Sequence, residues 1–207
     1  MTTPLGSLDI LEREGRRVAV RRTTRETDIR LTIDLDGSGV ADIETGVGFY
    51  DHLLGSFAHH GLFDLTIRAT GDLEVDDHHT VEDVALVLGA AVAEALGDRT
   101  GIVRFGDASV PMDEAVATAI IDVGGRPYAV IDLPFRGERA GTLTLQLVEH
   151  ALEAFARTAG ATLHVRGTGR NDHHLAEAAF KALGRAVRAA TEPDPRRRGL
   201  ASTKGST

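Results

Sequence analysis

The chain writes one chemical pattern twice: Asp77-His78-His79-Thr80-Val81-Glu82 and Asp172-His173-His174-Leu175-Ala176-Glu177. Imidazole and carboxylate together are ligands for divalent transition metals. Side chains four residues apart share one face of an α-helix. His78 with Glu82, and His173 with Glu177, are therefore two-toothed grips for one ion each. His79 and His174 point well away from their neighbours, so each motif is expected to feed two ions. Two motifs, each shared between two sites, imply a two-metal centre with internal pseudo-symmetry.

His52 and His150 join this set because they hold equivalent places ahead of the two motifs, as Asp51-His52 and Glu149-His150. Six histidines and two glutamates make two sites, each with three nitrogens and one carboxylate. Four protein ligands on a metal that prefers six leave positions open for a substrate. The competing reading is a closed metal staple between two halves, and the ligand pattern alone does not choose. His164 has no copy and reads as an ordinary strand residue.

The elements that position these residues are themselves repeated. An offset of 95 superposes 77–95 on 172–190, where nine of nineteen positions are identical, among them Leu88-Gly89 with Leu183-Gly184. Upstream the offset becomes 98, matching Arg68-Ala69-Thr70-Gly71 to Arg166-Gly167-Thr168-Gly169 and, further back, Ile33-Asp34-Leu35 to Ile131-Asp132-Leu133. A duplication explains this self-similarity. In the first copy, alternation predicts strands at 18–23, 29–35 and 40–44. A helix at 48–60 carrying His52, a strand at 63–70 and a helix at 79–96 follow, with Asp77 as N-cap and Gly97 just past the end. The second copy predicts strands at 103–112, 115–123 and 128–133, a helix at 142–158, a strand at 162–167 and a helix at 173–191. The expected class is α+β: duplicated half-domains, each a four-stranded mixed sheet with two helices on one face, packed together through their helices. The boundaries are 16–98 for the first repeat, 102–191 for the second and 192–207 for a tail.

Composition narrows the function. The 207 residues are 42% hydrophobic, enough for a globular core, and the net charge of −8 argues against nucleic acid as a partner. There is no cysteine, which leaves histidine and carboxylate as the metal ligands. No apolar run approaches the ~20 residues of a membrane span, and the N-terminal stretch lacks the apolar core of a signal peptide. A soluble cytoplasmic protein without a membrane partner is expected. Lys181 and Lys204 are the only lysines. The tail, rich in Pro, Arg, Gly and Ser, reads on composition as solvated and disordered. Its competing reading is a phosphate grip built from Arg196-Arg197-Arg198 and Ser202-Thr203-Lys204.

From Arg21 to Lys204 the chain resembles the imidazoleglycerol-phosphate dehydratases of histidine biosynthesis. The resemblance is carried by Arg22-Thr23-Thr24-Arg25-Glu26-Thr27, Thr45-Gly46-Val47-Gly48-Phe49-Tyr50-Asp51-His52, His59-His60-Gly61, both Asp-His-His motifs and Ser202-Thr203-Lys204-Gly205. No motif position departs from the family pattern. The resemblance implies a hydro-lyase that converts imidazole glycerol phosphate to imidazole acetol phosphate. It implies two copies of a βα unit with a ribosomal protein S5 domain 2-like fold. It also implies two manganese ions per subunit and a homo-oligomer of twenty-four chains with active sites between subunits. By position, His52, His79, His173 and Glu177 would hold one ion, and His78, Glu82, His150 and His174 the other. Arg104, Arg126, Ser202, Thr203 and Lys204 would bind the phosphate, with Glu26, His52 and His60 also touching substrate. Glu26, His52 and Glu177 would be the catalytic residues. The tail then reads as a substrate-binding segment.

The reaction must take a proton from a carbon that no carbonyl activates. Two cations on the ring nitrogens would stabilise an imidazolate, which could push electrons toward the side chain and expel the hydroxyl. Glu26 is the expected proton carrier. Two alternatives remain open on sequence. A two-metal phosphoester hydrolase calls for ions ~3.5–4 Å apart. A non-catalytic particle assembled by metal calls for coordinatively closed ions.

Overall fold

The first sheet is built by strict alternation. In β3 (Thr27–Asp34), Ile29, Leu31 and Ile33 point inward and are fully buried, while Asp28, Arg30 and Thr32 face out. The computed structural model describes residues 8–204; Gly205 of the tail motif and the two residues after it lie outside the described residues. β2 (Arg17–Thr23) and β5 (Asp64–Gly71) flank β3 antiparallel, and β4 (Ala41–Glu44) runs parallel to β5. A parallel pair needs a crossover, and α1 (Gly48–Gly61) provides it. α2 (His78–Leu96) closes the half.

The second half repeats this trace: β6 (Phe105–Met112), β7 (Ala115–Asp122), β8 (Tyr128–Asp132), crossover helix α3 (Gln146–Ala159), β11 (Thr162–Thr168) and α4 (Asp172–Thr191). With β1 (Leu8–Glu14) at one edge, the sheet orders are β1-β2-β3-β5-β4 and β6-β7-β11-β8. They are the same apart from β1, a fifth strand where four were expected. β1 is a largely exposed edge strand with a register shift between Ile10 and Glu12, so the alternation that marks a half-buried strand is missing from its sequence.

The pairing corrects the repeat alignment. Asp34 of β3 pairs with Asp64, and Asp122 of β7 pairs with Thr162. Asp64 and Thr162 correspond at an offset of 98, so Asp34 corresponds to Asp122, an offset of 88. The expected match of Ile33-Asp34-Leu35 to Ile131-Asp132-Leu133 therefore does not hold: 131–132 lie in β8, whose counterpart is β4. The missing ten residues lie in the connection from β8 to α3, which contains a short hairpin of β9 (Arg139–Ala140) and β10 (Leu143–Thr144). That hairpin also delays α3, expected from 142, to Gln146.

The helices of the two halves meet in the middle, α2 on α3 and α1 on α4, with the sheets outside. The duplicated Leu-Gly pairs mark the crossings. A Cβ on Gly89 would sit 2.4 Å from the carbonyl oxygen of Phe155, and one on Gly184 would sit 2.3 Å from that of Phe57. Only glycine permits that approach.

Asp77 does not cap α2 as expected. Its carboxylate accepts the Thr144 N–H at 2.6 Å and hydroxyl at 2.8 Å, which anchors the β9–β10 hairpin. Asp76 accepts the His78 N–H at 2.8 Å instead. In the second copy Asn171 caps α4 by accepting the His173 N–H at 3.0 Å, and Asp172 accepts the Arg136 and Gly137 N–H groups. Both aspartates thus fix the loop after β8, one step C-terminal to the cap. Among the described residues, no helix is long and apolar enough to cross a membrane.

Candidate metal centre and phosphate pocket

The packing of α1 on α4 brings His52 across to the second Asp-His-His motif. His52 Nε2 lies 2.9 Å and His173 Nε2 3.2 Å from Glu177 Oε2. Phe49, one turn before His52, covers the His173 ring at 4.6 Å. The packing of α2 on α3 does the same for the other cluster. His78 Nε2 is 3.7 Å from Glu82 Oε2, and His150 Nε2 is 3.4 Å from Glu82 Oε1. Each cluster therefore joins an i,i+4 His/Glu grip to a histidine from the opposite half, and the three ligand atoms lie within 4.8 Å of one another.

The donor set fits a divalent transition metal. Among the described residues His150 Nε2 is buried with no hydrogen-bond partner, an orphaned nitrogen that an ion would satisfy. Glu177, 7% exposed, would have its carboxyl raised by burial, but His52 and Lys181 hold it down to about 2. Burial likewise works against ionised Glu82, and His150 and Arg157 outweigh it, holding its carboxyl below the usual range. Both carboxylates are thus anionic and ready to ligate at neutral pH.

The fourth residue expected in each set lies apart within a single chain. His79 turns its Nδ1 to the Asp72 carboxylate at 3.0 and 3.2 Å. His174 turns its Nδ1 to Glu114 at 2.8 Å. A carboxylate behind one imidazole nitrogen orients the ring and leaves the other nitrogen to ligate. These hydrogen bonds hold both imidazoles above the usual histidine range.

Glu26 sits in the β2–β3 turn with Oε1 3.9 Å from His79 Nε2. His60, at the end of α1, neighbours the first cluster; burial and the Lys181 charge push its imidazole down. The expected phosphate ligands come together elsewhere: Arg104, Arg126, Ser202, Thr203 and Lys204 line a pocket of about 550 Å³. Arg104, in left-handed backbone at φ 79°, donates to both Asp122 carboxylate oxygens at 2.7 and 2.9 Å and to the Ala201 carbonyl, which ties the tail to the pocket wall. Gly124 leaves room for that guanidinium: a Cβ there would lie 2.5 Å from Arg104 Nη2.

Sequence reasoning missed four charged residues of this machinery. Lys181 donates to Glu177 Oε1 at 2.7 Å, and its place four residues after Glu177 on α4 was a readable signal. Arg157 Nη2 reaches Glu82 Oε1 at 3.1 Å. Asp72 and Glu114 stand behind His79 and His174 from loops, where no helical spacing announces them.

A family model described as imidazoleglycerol-phosphate dehydratase matches residues 45–187. The imidazoleglycerol-phosphate dehydratase of Methanoculleus marisnigri is 56% identical over 187 residues, covering 90% of this chain and 97% of its own. The chloroplastic protein of that name from Pisum sativum is 54% identical over 188 residues, covering 90% of this chain and 67% of its own. Two solved structures of that enzyme share the fold. The one from Pyrococcus furiosus, in complex with (S)-C348, has a TM-score of 0.79 at 38% identity, with 90% and 99% of the two chains covered. The one from Staphylococcus aureus has a TM-score of 0.76 at 36% identity, with 84% and 98% covered. With the doubled motif, the shared architecture and this span of identity in agreement, the chain belongs to the imidazoleglycerol-phosphate dehydratase family.

Proposed function

We propose that this dehydratase converts imidazole glycerol phosphate to imidazole acetol phosphate with the help of two divalent cations per chain. The observation that carries the reading is the pair of His/Glu clusters, each drawing a histidine from the other half. His52, His173 and Glu177 hold one ion and His78, Glu82 and His150 the other. His79 and His174 complete the sets from neighbouring copies, which places the active sites between subunits of a cytoplasmic homo-oligomer. Family likeness favours manganese and an assembly of twenty-four chains. When bound, the cations would act as Lewis acids toward the substrate ring nitrogens and stabilise the ring as an imidazolate.

The chain's own residues supply the rest. Arg126 and Lys204 offer positive charge to the phosphate, and Ser202 and Thr203 offer hydroxyl donors. Arg104, aligned by Asp122, adds a guanidinium at the same pocket. Fixing the phosphate at one end sets the glycerol carbons in reach of Glu26, which converts a diffusional encounter into an oriented one. Glu26 then takes the proton from carbon and returns it to the departing hydroxyl, so that water leaves and an enol relaxes to the ketone. His60, pushed toward its neutral form by burial and Lys181, can accept or donate a hydrogen bond near the ring. Neither the hydrolase nor the inert-particle reading accounts for Glu26 beside His79, the arginines and the tail pocket together.

Elemental analysis, solution mass and turnover of imidazole glycerol phosphate on one preparation test this reading. The expected result is about two ions per chain, a particle far larger than a trimer, and turnover abolished by chelation. Full turnover in rigorously metal-free protein would end the proposal.

A further inference from the structure

We infer that Asp83 is a positioning residue: it latches the β2–β3 turn to α2 and so sets where the Glu26 carboxylate sits. The inference rests on the proposed role of Glu26. Asp83 follows the ligand Glu82 on α2 but lies on a different face, buried at 8% exposure. Among the described residues its partners come from the β2–β3 hairpin. The Thr27 hydroxyl donates to Asp83 Oδ2 at 2.5 Å, and Arg22 Nη1 forms an ion pair with the same oxygen at 2.7 Å.

The rest of the turn hangs from Thr27. Its proton is committed to Asp83, so the Thr24 hydroxyl, 3.2 Å away, must donate to Thr27 Oγ1. Thr24 Oγ1 then accepts the Glu26 N–H at 3.1 Å and the Thr27 N–H at 3.0 Å. A continuous chain of hydrogen bonds thus runs from the metal-binding helix to the backbone of Glu26. The carboxylate of Glu26 itself makes no hydrogen bond among the described residues, and its side chain is 52% exposed. Its placement depends on the backbone beneath it.

The second half provides an internal control. At the offset of 88 fixed by the strand pairing, Arg22, Thr24 and Thr27 correspond to Val110, Met112 and Ala115, and at the helix offset of 95 Asp83 corresponds to Ala178. Every member of the latch is apolar there. The glutamate of that turn, Glu114, is instead held by its own carboxylate, through the Arg170 and Asn171 N–H groups and His174. The latch is present where the turn's glutamate must stay unbonded and absent where it is tied down.

Thr27→Val keeps shape and removes the donor while leaving the Arg22–Asp83 pair in place. It should lower kcat about tenfold to a hundredfold, the scale of an ångström-level misplacement of a reacting group. KM, metal content and assembly should match the parent protein, and Thr27→Ser should recover most of the rate. Combined with Glu26→Gln, Thr27→Val should add no further loss. If Thr27→Val changes metal content or assembly, Asp83→Asn is read by the same criteria. An unchanged kcat overturns the latch and leaves the role of Glu26 standing. Losses that multiply in the double variant overturn it too, because Asp83 would then act elsewhere. Normal turnover in Glu26→Gln removes Glu26 from the reaction and takes the latch with it.

Discussion

Glu26 and Glu114 stand at the same position of the same turn, 88 residues apart, and their side chains do different work. Glu114 is saturated: it accepts the Arg170 N–H at 2.9 Å and the Asn171 N–H at 2.7 Å and faces His174 Nδ1 at 2.8 Å. The His174 bond, with those backbone donors, holds its carboxyl down to about 2. In the first half Asp72 takes over the place behind the histidine, facing His79 Nδ1. Glu26 is left on the other side of the ring, 3.9 Å from Nε2. The place behind the histidine is thus filled by the turn's own glutamate in one half and by a carboxylate from another loop in the other, and the glutamate left unbonded is the one proposed to carry the proton.

The largest effects should separate these two glutamates. Glu26→Gln is expected to lower kcat by about 10²–10⁴, the usual contribution of a positioned acid–base group, with metal content unchanged. Glu114→Gln should keep most of kcat at saturating metal and weaken metal binding by about 10–100-fold, as loss of a group behind a ligand does. Metal titrations of turnover in the two variants give both numbers. Equal loss of kcat at saturating metal would mean that the two turns are not divided in this way.

Much of this division was hidden in the sequence for a physical reason. The His/Glu grips at i,i+4 were legible because helix geometry maps spacing directly onto a shared face. β3 was legible because Ile29, Leu31 and Ile33 alternate with polar residues, and β7 because its run is β-branched and apolar even at the outward positions Val116 and Ile120, whereas the exposed edge strand β1 carries neither signal. The pairing of Glu26 with Glu114 was not legible. It needs the register of β3 and β7 against β5 and β11, and the ten-residue hairpin insertion shifts the offset without leaving a repeat signal. Asp72 and Asp83 act from a loop and across helix faces, where only the folded chain brings partners together, whereas Lys181 sits at i,i+4 from Glu177 and was readable.

The pocket proposed to hold the phosphate has a counterpart as well. Arg126 corresponds to Ser38, in the loop that leads from β3 to β4. In the second half Thr162 steadies this loop by donating to the Arg126 carbonyl at 3.0 Å. In the first half Asp64, at the position of Thr162, accepts the Ser38 N–H at 2.8 Å and the Val40 N–H at 3.0 Å. A carboxylate there would repel a phosphate and a hydroxyl would not, which agrees with the proposal that the phosphate binds in the second half. Arg126→Ala should raise KM about tenfold to a hundredfold, the value of about 1.5–3 kcal/mol for a hydrogen bond to a charged group. Ser38→Ala should leave KM unchanged in the same assay.

Packing, unlike chemistry, is expected to be the same in both halves. Gly89→Ala and Gly184→Ala each force a methyl group against a carbonyl of the facing helix. Each should cost about 1–3 kcal/mol by overpacking. Urea denaturation of the chelated protein compares them. A loss confined to one variant would show that the two crossings are not equivalent supports.

The smallest effect tests how each half fixes the loop before its parallel edge strand. The Ser38 and Val40 N–H groups hold the Asp64 carboxyl below its ordinary value of 3.8. A group with a depressed folded pKa stabilises the fold fully above its unfolded value and loses that contribution as pH falls through the folded one. Asp64→Asn should therefore cost about 1 kcal/mol at pH 7, seen as a Tm lower by about 2–4 °C. The deficit should begin to shrink as pH falls below the ordinary value of 3.8 and vanish once the parent protein protonates Asp64, at a pH lower still. Thr162→Val, which removes an uncharged donor, should show a deficit that does not change with pH over that interval. Thermal scans of the chelated protein at pH 7 and pH 3 separate the two. An Asp64→Asn deficit of equal size at both pH values would mean that the loop is held by shape and not by the carboxylate's charge.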